Sequence, residues 1–125
     1  MIELIEDGNL KVVFINKKPA FFYYEEKLLP TLQLLQTTSL LKKIVVDMGA
    51  IKFIVGGADV MRPGIVSFDE AIVKDDVVVI VDQNHQKPLA VGIALFSAVD
   101  LKTLNKGKMI KTLHYVGDEI WKFVV

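Results

Sequence analysis

The sequence predicts a mainly β protein with short helices, a small mixed barrel preceded by a small α/β annex. Three observations carry that expectation. Apolar residues fill 52% of the 125 positions, enough for a real core in one compact domain, or in one domain plus a short annex. The apolar stretches "NLKVVFI", "PAFFYY", "KKIVVD" and "DVVVIVD" are short and rich in β-branched and aromatic residues, as strands are. Turn residues separate them at short intervals, and neither an internal repeat nor a low-complexity linker interrupts the series.

Residues 1 to 29 read as strands, with "EDGN" and "NKKP" as turns. Pro30 then opens a short helix, "PTLQLLQ", at an early position where a missing N–H is tolerated. A soft boundary between Leu40 and Lys43 divides an annex, residues 1–42, from a second domain, residues 43–125. "KKIVVD" is a strand ending at Asp47, whose carboxylate caps a helix over Met48–Val55. Gly56 or Gly57 ends that helix in a left-handed conformation. At about 100° per residue, Ala50, Ile51, Ile54 and Val55 share one face, and Gly49, Lys52, Phe53 and Gly56 share the other. "IVSF", "DVVVIVD" and "PLAVGIALF" follow as three strands between the polar turns "DEAIVKDD" and "QNHQK". "SAVDLKTLNKG" is a second helix, with a Ser97-x-x-Asp100 capping pattern and Gly107 at its C′ position. "KMIKTLHYV" is a last long strand, "GDEIW" turns the chain and "KFVV" ends it.

Composition removes several function classes. Fifteen Lys and Arg balance fifteen Asp and Glu, which argues against loose electrostatic coating of nucleic acid. The charges are nevertheless uneven: acids dominate from Phe68 to Asp82 and lysines from Leu101 to Lys111. Without cysteine there is no disulfide framework, thiolate zinc site or thiol nucleophile. The N-terminus lacks the basic region of a secretory signal, and Leu89 to Val99 is too short for a membrane span. The expected location is the cytoplasm. His85 and His114 are far apart and carry no metal-ligand spacing. The serines show no nucleophile-elbow spacing, and Asp75-Asp76 reads as a solvated turn. Neither a P-loop nor a dinucleotide fingerprint is present. No cofactor, no metal and no catalysis are expected.

What stands out is "GGADVMRPG", which holds Arg62, the only arginine of the chain. Glycines allow close approach of a ligand, loop N–H groups can donate to it, and an arginine fork suits phosphate oxygens. Lys52 and Phe53 on the preceding helix add a charge and a stacking face. The same residues also make two ordinary turns beside an exposed arginine. The lysines of "DLKTLNKGKMIK" serve equally well as a basic patch, a helix-end complement or an edge guard.

"DMGAIKF", "GGADVMRPG", "NKG", "LHYVGDEIW" and, upstream, "LLPTLQLL" together resemble the PUA domain, a pseudo-barrel RNA-binding module. Within that group the pattern is most similar to the malignant T-cell-amplified-sequence family and its archaeal relatives, which are associated with translation. The resemblance runs from roughly residue 20 to the end. It implies a PUA-type pseudo-barrel behind the annex. It also implies an RNA surface at Lys52, Phe53, Gly57, Ala58, Asp59, Met61, Arg62, Pro63 and Gly64, with Lys108 and Lys111 on the last strand as weaker members. Asp59 either accepts a base amine or caps the loop backbone. His114, Tyr115 and Trp121 fit the pattern as packing residues, Trp121 closing the barrel. Proteins of this group carry a longer N-terminal domain with a leading helix, of which this chain keeps the back half. The implied function is non-catalytic binding of tRNA or small-subunit rRNA in translation, with a translation-factor or RNA-modification protein as further partner, and neither DNA nor membrane. The alternatives are a protein–protein adaptor using "FFYY", or an RNA-targeting accessory subunit of a modifying enzyme.

Overall fold

Three two-residue turns fold the first thirty residues into a meander. Asn16 and Lys17 take positive φ (51° and 66°), as do Glu25 and Glu26 (47° and 66°), the turn geometry that matches strand twist. Gly8 (φ 61°) supplies the other turn. The strands β1 (Ile2–Asp7), β2 (Leu10–Ile15), β3 (Lys18–Tyr24) and β4 (Lys27–Pro30) pair antiparallel in that order. The structure is a computed structural model and describes residues 1–123; the last two residues of "KFVV" lie outside them. Pro30 ends β4 instead of opening the helix. Thr31 takes the cap: its Oγ1 accepts from Leu34 N–H at 3.2 Å and donates to the Pro19 carbonyl at 2.9 Å. The helix α1 is the single turn Leu32–Leu35.

The second sheet has six strands: β5 (Lys42–Val46), β6 (Val60–Met61), β7 (Ile65–Phe68), β8 (Val77–Asp82), β9 (Pro88–Ala94) and β10 (Lys108–Tyr115). Their order is β6-β10-β9-β8-β5-β7, with β5 and β8 parallel and the other pairs antiparallel. The sheet curls into a half-barrel around Ile44, Val46, Ile80, Ala90, Leu101 and Ile110. Val79 and Val81 of β8 and Val91 of β9 point the other way, against Val12, Phe14, Phe22 and Leu29 of the first sheet. Burial on both faces explains why "VVVIV" is continuously apolar.

Asp47 caps the helix after β5 as expected, its Oδ1 accepting from Ala50 N–H at 2.9 Å. That helix splits into a 3₁₀ turn, Met48–Ala50, and α2, Ile51–Ile54. Gly57, with φ 91°, ends it. Ser97 accepts from Asp100 N–H at 3.3 Å and starts α3 (Ala98–Thr103). Leu104, in extended conformation, ends α3; Gly107 (φ 98°) serves the turn into β10 and is not the helix C′ residue. "GDEIW" is more than a turn: Asp118 caps α4 (Glu119–Lys122) through Trp121 N–H at 2.8 Å. The Asp75-Asp76 turn is not merely solvated, since Asp76 pairs with Lys42 at 2.8 Å. Among the described residues no helix is long and apolar enough to cross a membrane.

Two junctions hold these parts together. The first is the barrel seam. The strands β6 and β7 are the two edges of the six-stranded sheet, yet they are consecutive in sequence, joined by the 3₁₀ turn Arg62–Gly64. Arg62 Nε donates to the Leu101 carbonyl at 2.9 Å and Nη1 to the Ile65 carbonyl at 3.1 Å. Its backbone N–H reaches Gly107 O at 2.8 Å, and its guanidinium lies over the Phe68 ring at 5.9 Å. The sole arginine therefore clasps the seam and α3 together.

The second junction is His114, fully buried in β10. Its Nε2 accepts from Leu32 N–H at 3.1 Å, so the ring proton sits on Nδ1 and is donated to Asp118, 2.9 Å away. Asp118 also accepts from the N–H groups of Tyr115 and Trp121. Burial pushes the Asp118 carboxyl up, but these bonds outweigh it and hold the group below the usual carboxylate range. Trp121 is half-buried in the cluster between the two sheets, sealing this junction and not the barrel interior.

Both junctions are testable. Lysine in place of Arg62 cannot reach two carbonyls with a planar fork, and Arg62→Lys is expected to cost about 1–3 kcal/mol in urea unfolding. The folded Asp118 carboxyl holds its proton less tightly than the unfolded one. Its stabilisation is therefore complete above about pH 4 and is lost as pH falls through the folded value. Asp118→Asn should lower stability at neutral pH and flatten the acid limb of a stability–pH curve. An unchanged acid limb would remove Asp118 from that role.

Candidate nucleic-acid interface

Between α2, the glycine loop and the start of β10 lies an open groove of about 700 Å³. Each wall has a local cause. The amphipathic turn of α2 buries Ile54 and leaves Phe53 61% exposed on its outer side. Lys52 reaches over the Phe53 ring, 5.1 Å from its centroid. Gly49 and Ala50 form the near wall; a Cβ at Gly64 would stand 3.3 Å from the Ala50 Cβ, so the loop packs as closely as a side-chain-free backbone allows. Met61 and Pro63 form the far wall.

The polar end of the groove is set by Asp59. Its Oδ1 accepts from Thr112 N–H at 2.8 Å, where β10 shifts register against β9. Its Oδ2 pairs with Lys108 at 2.8 Å, and Thr112 Oγ1 donates to the Ala58 carbonyl at 3.0 Å. Asp59 thus ties the loop backbone to the last strand. Burial raises its carboxyl, while the Lys108 and Thr112 bonds outweigh that and hold it below the usual range.

The residues singled out in the sequence divide into three groups. Phe53, Ala58, Asp59, Met61, Pro63, Gly64 and Lys108 line the groove, with Lys52 beside it. Gly57 and Arg62 lie behind it. A Cβ at Gly57 would stand 3.0 Å from the Tyr115 ring, so this glycine seats the loop on β10. The Arg62 guanidinium, read as a free fork for phosphate, has Nε and Nη1 engaged by carbonyls. Lys111 is elsewhere, donating to the Tyr24 hydroxyl at 3.1 Å on the first sheet. Gly49, Ala50 and Ile54 line the groove too. The helix pattern had offered Gly49 as exposed, and smallness beside an exposed aromatic was the signal that could have identified both small residues.

Comparison with known proteins now has a geometry to refer to. Residues 42–116 match the family model of the PUA domain, and residues 1–38 match a domain of unknown function, DUF1947. An uncharacterized protein of Methanocaldococcus jannaschii is 49% identical over 123 residues, covering 98% of this chain and 76% of its own. Translation machinery-associated protein 20 of Eremothecium gossypii is 34% identical, covering 91% of this chain and 67% of its own. Malignant T-cell-amplified sequence 1 of Rattus norvegicus is 35% identical, covering 90% and 65%. The chain thus spans about two thirds of the length of these two eukaryotic relatives. The crystal structure of a hypothetical protein from Pyrococcus horikoshii superposes with a TM-score of 0.87 at 35% identity, covering 99% of this chain and 79% of its own. With the half-barrel, the glycine loop and the matched segment in agreement, the chain belongs to the PUA-domain family, in the group that holds the malignant T-cell-amplified-sequence proteins, Translation machinery-associated protein 20 and their archaeal relatives.

Proposed function

We propose that this protein binds single-stranded RNA in the groove, without catalysing a reaction, as a component associated with translation. The observation that carries the reading is an exposed aromatic ring, Phe53, beside a groove whose near wall is Gly49 and Ala50. A base stacks on such a ring whatever its identity, and small residues let it slide in edge-on. A volume of about 700 Å³ falls within the range of small-ligand sites and takes a nucleotide or two. Lys52, over the ring, supplies charge for the phosphate that follows the stacked base. Lys108 is already neutralised by Asp59 and orders the groove more than it attracts RNA. Arg62 contributes from behind, by fixing the loop, and the Lys111 ammonium, within the field of Asp59, donates to the Tyr24 hydroxyl.

The link to translation rests on the name of the relatives called Translation machinery-associated protein 20. The RNA proposed is therefore tRNA or small-subunit rRNA. Unpaired bases can stack on an exposed ring, which makes the single-stranded acceptor end the first probe.

The test is equilibrium binding of labelled tRNA, intact and lacking its 3′-terminal CCA, at two salt concentrations. Trimming should weaken binding, and the slope of log affinity against log salt should correspond to about one or two phosphates. Phe53→Ala should weaken binding at least about tenfold, as stacking losses do, with the melting temperature unchanged because the ring is exposed. Lys52→Ala should reduce the salt slope. Absence of tRNA binding at low salt, or a Phe53→Ala protein that binds as well as the parent, overturns the reading.

A further inference from the structure

The strand β10 carries two exposed lysines beside the groove, and only one of them is neutralised. Lys108 is held by the Asp59 carboxylate at 2.8 Å. Lys111 is exposed as well, and its bonded partner is a neutral group, the Tyr24 hydroxyl at the end of β3, 3.1 Å from Nζ. The Tyr24 ring lies 5.7 Å from the same ammonium. Among the described residues no carboxylate forms an ion pair with Lys111. An ammonium has three donors; Tyr24 takes one, and two remain. The hydrogen bond to Tyr24, helped by the fields of Tyr24, Glu25 and Asp59, makes Lys111 hold its proton more tightly than an ordinary lysine.

Position ties this lysine to the groove. The next residue, Thr112, donates its N–H to Asp59 at 2.8 Å and its hydroxyl to the Ala58 carbonyl at 3.0 Å. Asp59 and Ala58 line the groove. Lys111 therefore begins where the polar end of the groove stops, and the Asp59 carboxylate feels its charge. Tyr24 meets it from the annex. The tyrosine packs against the cluster between the two sheets, so it cannot swing away freely.

We propose that RNA leaving the polar end of the groove crosses β10 onto Lys111, which meets a phosphate there, while Tyr24 of the annex is the positioning residue that holds the ammonium in place. This inference rests on the groove being the RNA site. A groove that takes a nucleotide or two cannot contain a longer strand, which must leave past one of its ends. At the polar end Asp59 and Lys108 cancel, and Lys111 leaves one positive charge over. A lysine already steadied on a hydroxyl and a ring loses less freedom when it binds than a loose one. Glu25, exposed beside Tyr24, sets the limit: a phosphate further on would meet a like charge. The track is therefore one phosphate long, and it makes the annex part of the RNA surface.

The test is an amide NMR titration of the full chain with two single-stranded probes, an adenine dinucleotide and an adenine octanucleotide, at two salt concentrations. Both probes should shift the amides of Gly49 and Phe53, and the octanucleotide alone should shift those of Tyr24 and Lys111. Lys111→Ala should weaken the octanucleotide about threefold or more and lower its salt slope by about 0.7, the share of one phosphate on a single strand. Its binding of the dinucleotide should not change. Lys111→Arg should keep the slope. Tyr24→Phe keeps the packed ring and the lysine charge, so it should weaken the octanucleotide while leaving the slope intact. If neither probe binds the parent protein, the groove reading falls and this inference with it. If both bind and Lys111→Ala alters neither affinity nor slope for the octanucleotide, the groove reading stands and this inference falls alone. Equal weakening of both probes also overturns it, since Lys111 would then act on the groove through Asp59. A Tyr24→Phe protein that binds as the parent does removes Tyr24 from the positioning role.

Discussion

The constraint on which the rest depends is that the barrel cannot close by hydrogen bonds. Its two edges, β6 and β7, never pair; they are stitched by three residues, Arg62 to Gly64. Something must hold that stitch against the interior. The Arg62 guanidinium does so, gripping carbonyls of α3 and β7 at once while its N–H takes the Gly107 carbonyl. Lysine has no second donor at fixed angle and no plane to lay on Phe68. The chain uses lysine for every other basic position and arginine where a fork is needed.

From the seam, order passes along β10. One side of this strand touches the loop: Lys108 and Thr112 hold Asp59, and the Tyr115 ring lies against Gly57. The other side holds the annex: His114 receives Leu32 N–H and Lys111 meets Tyr24. Groove and annex therefore share one strand, on which Lys111 meets Tyr24 and also feels the Asp59 carboxylate. A buried imidazole with both nitrogens engaged is costly to disturb, since losing either partner leaves a desolvated polar group. That junction keeps β10 in register, and β10 in register keeps the groove walls at their spacing.

Much of this was legible in sequence because local chemistry dictated it. Asp47 and Ser97 read as caps and are caps; the exposed and buried faces of the α2 segment follow its periodicity. The strands were readable from β-branched runs. What escaped reading depended on distant partners. Pro30 looked like a helix start, but Thr31 reaches back to the Pro19 carbonyl and, as the cap, moves the start to Leu32. Gly107 looked like a helix end, while Leu104 had already turned the chain. The carbonyl partners of Arg62, at Leu101 and Ile65, could not be read in advance, because a carbonyl acceptor is the same at every residue.

The charge inside the groove constrains how it can work. Asp59 and Lys108 compensate each other, and Asp59 stays ionised because Lys108 and a backbone N–H hold it so. That pair offers no net charge to RNA, so in the proposed reading the charge that meets phosphate in the groove is that of Lys52. The rest of the groove's affinity comes, in that reading, from the Phe53 ring and from the fit of the walls. Stacking tolerates any base, so in that reading discrimination comes from the shape of the walls. Shape discriminates only if the walls do not move. A rigid clasp at Arg62 and a buried imidazole at His114 then belong to recognition as much as to folding, although neither needs to touch the RNA.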